Sequence, residues 1–143
     1  MWWLLFLLSW RRAAAEPEYI QPDKCFCSAT GDPHIRDFDG QTSTVGAGEF
    51  TLLQDYSNRF NIIISVRQIG RFTQIQEVKV NLAGDVVDHL PGYGDLHKAE
   101  GIEIRVFESN NVFIIWDSSK GDRIKPQSLC GTQCGQGKSK LLN

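Results

Sequence analysis

The most reactive backbone link in this chain is Asp32-Pro33, set between Gly31 and His34. An aspartate before a proline can attack its own carbonyl carbon with the side-chain carboxylate, forming a cyclic anhydride. The proline nitrogen then leaves as an amine, because a tertiary amide twists and takes up a proton more readily than an ordinary peptide nitrogen. Gly31 permits strained backbone angles beside the reacting group. His34, with an ordinary histidine pKa of about 6.5, is positioned in sequence to supply the proton in mild acid. The same four residues also have a plainer use, a tight turn into a strand with Asp32 capping it.

Other groups that can do chemistry are sparser. His89 and His97 stand near Asp85, Asp88 and Asp95, a set that reads either as a weak metal site or, more simply, as a solvated polar loop. Gly137-Lys138-Ser139 has the end of a phosphate-loop pattern, but Thr132 occupies the place of its first glycine, and a polar tail is the better reading. Cys25 stands close to Cys27, and Cys130 to Cys134. Neither spacing is CxxC and no histidine accompanies them, so zinc ligation is the weaker reading. In an oxidising compartment an even number of cysteines at the two ends suggests that the ends are tied together. Four cysteines allow three pairings, and spacing alone does not choose among them.

The elements that must position these groups follow from composition and period. A chain of 143 residues, 41% hydrophobic and 22% charged, has the length for one modest core. A formal net charge of -2, from 15 basic and 17 acidic residues, gives no field toward nucleic acid or anionic lipid. Met1 to Trp10 is almost wholly apolar, too short to span a bilayer, and Ala13-Ala14-Ala15 offers a cleavage site, so residues 1–15 are expected to be a secretory signal peptide rather than an anchor. Residues 16–24, with Pro17 and Pro22, are predicted to be an extended lead-in, and 25–143 the folded domain. The sequence contains no Asn-x-Ser/Thr site.

Within the domain the dominant signal is period two. Phe60, Ile62, Ile64 and Val66 alternate with Asn61, Ser65 and Arg67, Ile63 being the exception; Val78, Val80 and Leu82, Ile102, Ile104 and Val106, and Phe50 and Leu52 repeat the pattern. Val112 to Trp116 is a continuous apolar run, predicted to be a strand covered on both faces with Phe113 and Trp116 in the core. Short turn signals such as Asp55-Tyr56-Ser57-Asn58, Ile69-Gly70 and Ser109-Asn110-Asn111 separate the runs and imply antiparallel hairpins. Ala83 to Gly101, rich in glycine and without a sustained period, is predicted to be a long surface loop. No helical stripe is present. The expected fold is an all-β antiparallel sandwich of twisted sheets.

The string from Cys25 to Gly40, containing Cys27, Gly31-Asp32-Pro33-His34 and Phe38-Asp39-Gly40, resembles the opening of a von Willebrand factor type D domain. Gly46 to Leu52 resembles that family's next strand, and Ser128-Leu129-Cys130-Gly131 its closing motif, so the resemblance spans roughly Cys25 to Gly135. It implies a β-sandwich closed by disulfides, with Cys27 bonded to Cys130 and Cys25 left for Cys134. Family members usually carry a cysteine where Gly48 stands, bonded to a following module; its absence implies a short, self-contained member.

A resemblance of this kind speaks to fold more than function. It implies a secreted structural or binding module of matrix, mucus, egg coat or venom-like secretion, expected to be a monomer with an extracellular protein partner, no nucleic acid and no transmembrane anchor. No nucleophile and base stand in supporting context for an enzyme acting on an external substrate. The alternative is a self-processing protein, since some members of the family are cut at the Asp-Pro bond, here Asp32-Pro33, with His34 as the acid. The family's calcium site uses the opening aspartate, here Asp32, with Asn and Asp residues after the closing cysteine. The stretch Thr132 to Ser139 has no carboxylate, so the expectation is no cofactor, with Asp32 the one ligand that carries over.

Overall fold

The computed structural model describes residues 24–120 and 123–134. The expected signal peptide, nearly all of the lead-in and Gly137-Lys138-Ser139 lie outside them. Among the described residues there are ten strands and no helix: β1 (Lys24–Thr30), β2 (His34–Arg36), β3 (Thr42–Thr44), β4 (Gly48–Gln54), β5 (Phe60–Ile69), β6 (Phe72–Leu82), β7 (Asp85–His89), β8 (Asp95–Ala99), β9 (Ile102–Val106) and β10 (Val112–Asp117). Lys24, assigned above to the lead-in, already belongs to β1.

One sheet has the order β3-β2-β1-β10-β9-β8 and the other β4-β5-β6-β7, with every pairing antiparallel. Three hairpin-linked strands from each end of the domain therefore meet along β1 and β10, while the middle of the chain folds back as a separate meander. The expected all-β sandwich is the fold observed.

Period two decides which residues enter the core. Phe60, Ile62, Ile64 and Val66 of β5 are buried while Asn61, Ile63 and Ser65 face outward. Across the interior, Cys25, Cys27 and Ala29 of β1, Ile104 of β9 and Ile114 and Trp116 of β10 supply the other layer. Phe60 meets Trp116 edge to face, with ring centroids 5.8 Å apart, which locks the two sheets at their centre. In β4 the register shifts between Thr51 and Leu53, so that the adjacent Leu52 and Leu53 are both buried.

Two expectations need correction. β10 is covered on one face only: Phe113, expected in the core, is 39% exposed, because its register beside Ser28 and Arg105 puts it on the outer side of the sheet. Residues Ala83 to Gly101 are not a long loop but contain β7 and β8 joined by a short connection. Their inward positions are His89 and His97, so the apolar alternation that marks a half-buried strand is missing from the sequence.

The segment 123–130 runs along β4. Lys125 N–H donates to Gln54 O (2.7 Å), Leu129 N–H to Thr51 O (3.0 Å) and Cys130 N–H to Leu52 O (2.9 Å). Asp55, fully buried at the end of β4, accepts from Phe60 N–H (3.1 Å) and Ser57 Oγ (2.8 Å) and so shapes the turn into β5. All four cysteines lie among the described residues. Cys25 joins Cys134 and Cys27 joins Cys130, at sequence separations of 109 and 103.

Removing the inner bridge by Cys27→Ala with Cys130→Ala releases a long loop in the unfolded chain. The expected loss is about 2 to 5 kcal/mol, reduced if the outer bridge already restrains that loop. Urea denaturation of the secreted parent and the double variant measures it; equal midpoints would show that the bridge adds nothing.

Candidate functional site

The motif residues Asp32, Pro33 and His34 form a tight hairpin between β1 and β2, in which Thr30 pairs with His34 across a three-residue turn. Gly31 opens the turn at φ 54°, a left-handed conformation that a side chain would strain. Its N–H donates to Asn111 Oδ1 (2.9 Å), fixing the turn to the β9–β10 connection. Pro33 is buried and its carbonyl accepts from Val45 N–H (3.2 Å), while Asp32 and His34 are exposed. The Asp32 carboxylate accepts no hydrogen bond among the described residues, so the capping role expected of it is not what the structure shows.

Asp37 ties the next turn instead. Its Oδ1 accepts from Asp39 N–H and Gln41 N–H, both at 2.9 Å. That turn presents Phe38, which is buried and donates its N–H to Cys130 O (2.9 Å), so the opening and closing motifs of the sequence touch.

Around Asp32 the cleft lining adds Gln74, Ser109 and Asn111 but no second carboxylate, and Asn111 Oδ1 is already engaged by Gly31. Calcium takes six to eight oxygens, several usually charged, and this donor set does not fit a tight site. Among the described residues no group of three or more His, Cys, Asp or Glu side chains is placed to hold a metal ion.

His89 and His97 are brought together, and this juxtaposition was not legible in the sequence. They close the gap between the two sheets, with Nε2 to Nε2 at 2.7 Å and rings 71° apart, and His89 is only 4% exposed. The reading of these residues as part of a solvated loop is therefore corrected. Asp85, Asp88 and Asp95 do not join them in a metal-binding cluster. A hydrogen bond between two imidazole nitrogens requires a lone pair on one of them. His97 is held below the ordinary histidine pKa, chiefly because burial disfavours its charged form and next because of His89, with Asp95 acting in the opposite direction.

A shallow apolar recess of about 410 Å³ lies on the outer face of the six-stranded sheet. Phe26 and Phe113 line it with rings 5.8 Å apart, and Arg36 and Asp39 stand at its rim. Among the described residues no helix is long and apolar enough to cross a membrane. Compared with protein-family models and with curated proteins, the chain matches none.

A lowered folded-state pKa means that the unfolded chain takes up a proton first. Stability linked to His97 is thus complete above about pH 6.5 and is lost as pH falls through the lower folded value. The melting temperature of the parent should fall more steeply between about pH 7 and pH 5 than that of His97→Gln, and parallel profiles would remove the pair as the cause.

At Asp32-Pro33 the expectation is an intact chain. Reduced intact mass after days near pH 5.5 should be unchanged, since the carboxylate is exposed at the turn and has no hydrogen-bond partner among the described residues. A new N-terminus at Pro33, abolished by Asp32→Asn, would reverse this.

Proposed function

We propose that the chain is a secreted, disulfide-stapled module of von Willebrand factor type D kind that works by binding an extracellular protein through its surface. The carrying observation is the cysteine arrangement. All four side chains are consumed in two bridges that tie β1 to Cys130, at the end of the segment that runs along β4, and to Cys134 just beyond it. Such bridges persist in oxidising compartments and are rare in reducing ones.

A binding role rather than an enzymatic one is favoured by what the described surface presents. Asp32 and His34 lie in an open turn, the histidine pair joins the sheets, and large apolar side chains remain exposed, among them Phe26, Phe72, Val86 and Tyr93. These are features of a scaffold with contact surface rather than of a site where nucleophile, base and oxyanion donors converge. A monomer is the expected state in the absence of partner.

Expression of the full chain in a secretory cell tests this reading. The protein should reach the medium with Glu16 as its N-terminus and with no alkylatable thiol under denaturing, non-reducing conditions. Retention in the cell with reduced cysteines would overturn the proposal.

A further inference from the structure

A two-layer sandwich has two open sides, and this one treats them differently. On one side the segment 123–130 lies along β4 and donates to the carbonyls of Thr51, Leu52 and Gln54. On the other, β7 ends one sheet and β8 ends the other: among the described residues β7 pairs with β6 alone and β8 with β9 alone. Between them lies a cleft of about 740 Å³, lined in part by His97 of the histidine pair. Val86 (54%) and Val87 (38%) of β7 and Leu96 of β8 (41%) are exposed and line it. A strand edge with free N–H and C=O groups and exposed valines is a template for another strand.

The β7 edge reads Asp85-Val86-Val87-Asp88. His89 points inward, so Asp85 and Val87 share its side while Val86 and Asp88 face outward; each face of the edge offers one acidic and one apolar side chain. This pattern selects its occupant. A second copy brings no basic residue to this edge: paired antiparallel about Val86 or Val87, it sets Asp85 and Asp88 opposite valine, histidine or glycine, so neither carboxylate gains a counter-charge. Lys79 lies across from Asp88 within the sheet, but Asp85 faces Leu82 and has no such counter-charge in that register. On the β8 side Asp95 adds a further negative charge, while Lys98 is engaged by Glu103 at 3.3 Å.

We propose that the β7 edge is a docking site for an extended segment of another protein that carries the order basic, apolar, apolar, basic. Such a segment extends the four-stranded sheet by one strand. It sets Lys or Arg beside Asp85 and Asp88, and β-branched or aromatic residues beside Val86 and Val87. The Phe26–Phe113 recess is more apolar, but nothing in its surroundings selects what covers it; the edge does. This inference rests on the binding role proposed above and specifies its surface and the chemistry of its partner.

The test titrates the isotope-labelled, disulfide-intact protein with blocked decapeptides, read by amide shifts and hydrogen exchange. One peptide is centred on Lys-Val-Ile-Lys and the other on Glu-Val-Ile-Glu. The lysine peptide should bind about ten-fold more tightly, weaken with added salt, and protect amides of β7, since two cross-strand pairs change from repulsive to attractive. Asp85→Lys, an exposed edge substitution that leaves the core untouched, should narrow or reverse the preference. Equal binding of the two peptides, binding unaffected by Asp85→Lys, no binding, or protection elsewhere than β7 would overturn the proposal. Cross-linking of the secreted protein to its natural partner separates the two levels: contacts mapping away from β7 defeat the edge and leave the binding role, whereas absence of any partner defeats both.

Discussion

The pairing of β1 with β10 is the constraint on which the rest of the molecule depends. These strands are 83 or more residues apart along the chain at each paired position, from Ala29 with Val112 to Lys24 with Asp117, and they are the centre of the larger sheet. Closing so long a loop is entropically unfavourable until the interior contacts form. β1 answers this by turning Cys25, Cys27 and Ala29 inward, where two of the three side chains become covalent ties to the far end of the chain. The same strand then launches the hairpin that holds Gly31, Asp32 and Pro33. The opening motif is thus shaped by the seam: Phe38 docks on Cys130, and the Gly31 turn is pinned by Asn111.

Much of this architecture was legible because apolar residues alternate wherever a strand has one buried face. The first part of β5, the whole of β9 and the end of β6 read directly from Phe60 to Val66, Ile102 to Val106 and Val78 to Leu82. Legibility failed where the inward side chain is not apolar, or the outward one is. His89 and His97 fill the inward positions of two edge strands and hid both of them. Phe113 and Ile115 on the outer face made β10 resemble a strand buried on both sides. A bulge in β4 places Leu52 and Leu53 inward together, which strict alternation does not anticipate.

The site was less legible than the fold for a related reason. Short motifs name residues without saying which of them meets a partner. Asp32 and Asp37 are both turn aspartates five residues apart, yet only Asp37 organises backbone N–H groups. The two histidines lie eight residues apart, a spacing without meaning until each is assigned to a different sheet. Asp55, buried without a basic neighbour in its hydrogen-bonding set, is a third case: its role appears only when the turn that it closes is known.

The outer disulfide has a mechanical consequence. Cys25 and Cys134 bracket almost the whole of the described domain, with 109 residues of sequence separation between them. Tension applied to the chain before Cys25 and after Cys134 therefore travels through a single covalent cross-link and bypasses both sheets. The hydrogen-bonded ladders carry none of the load, and the domain behaves as an inextensible link whose surface keeps its shape under a pull that would unzip an unbridged sandwich of the same topology.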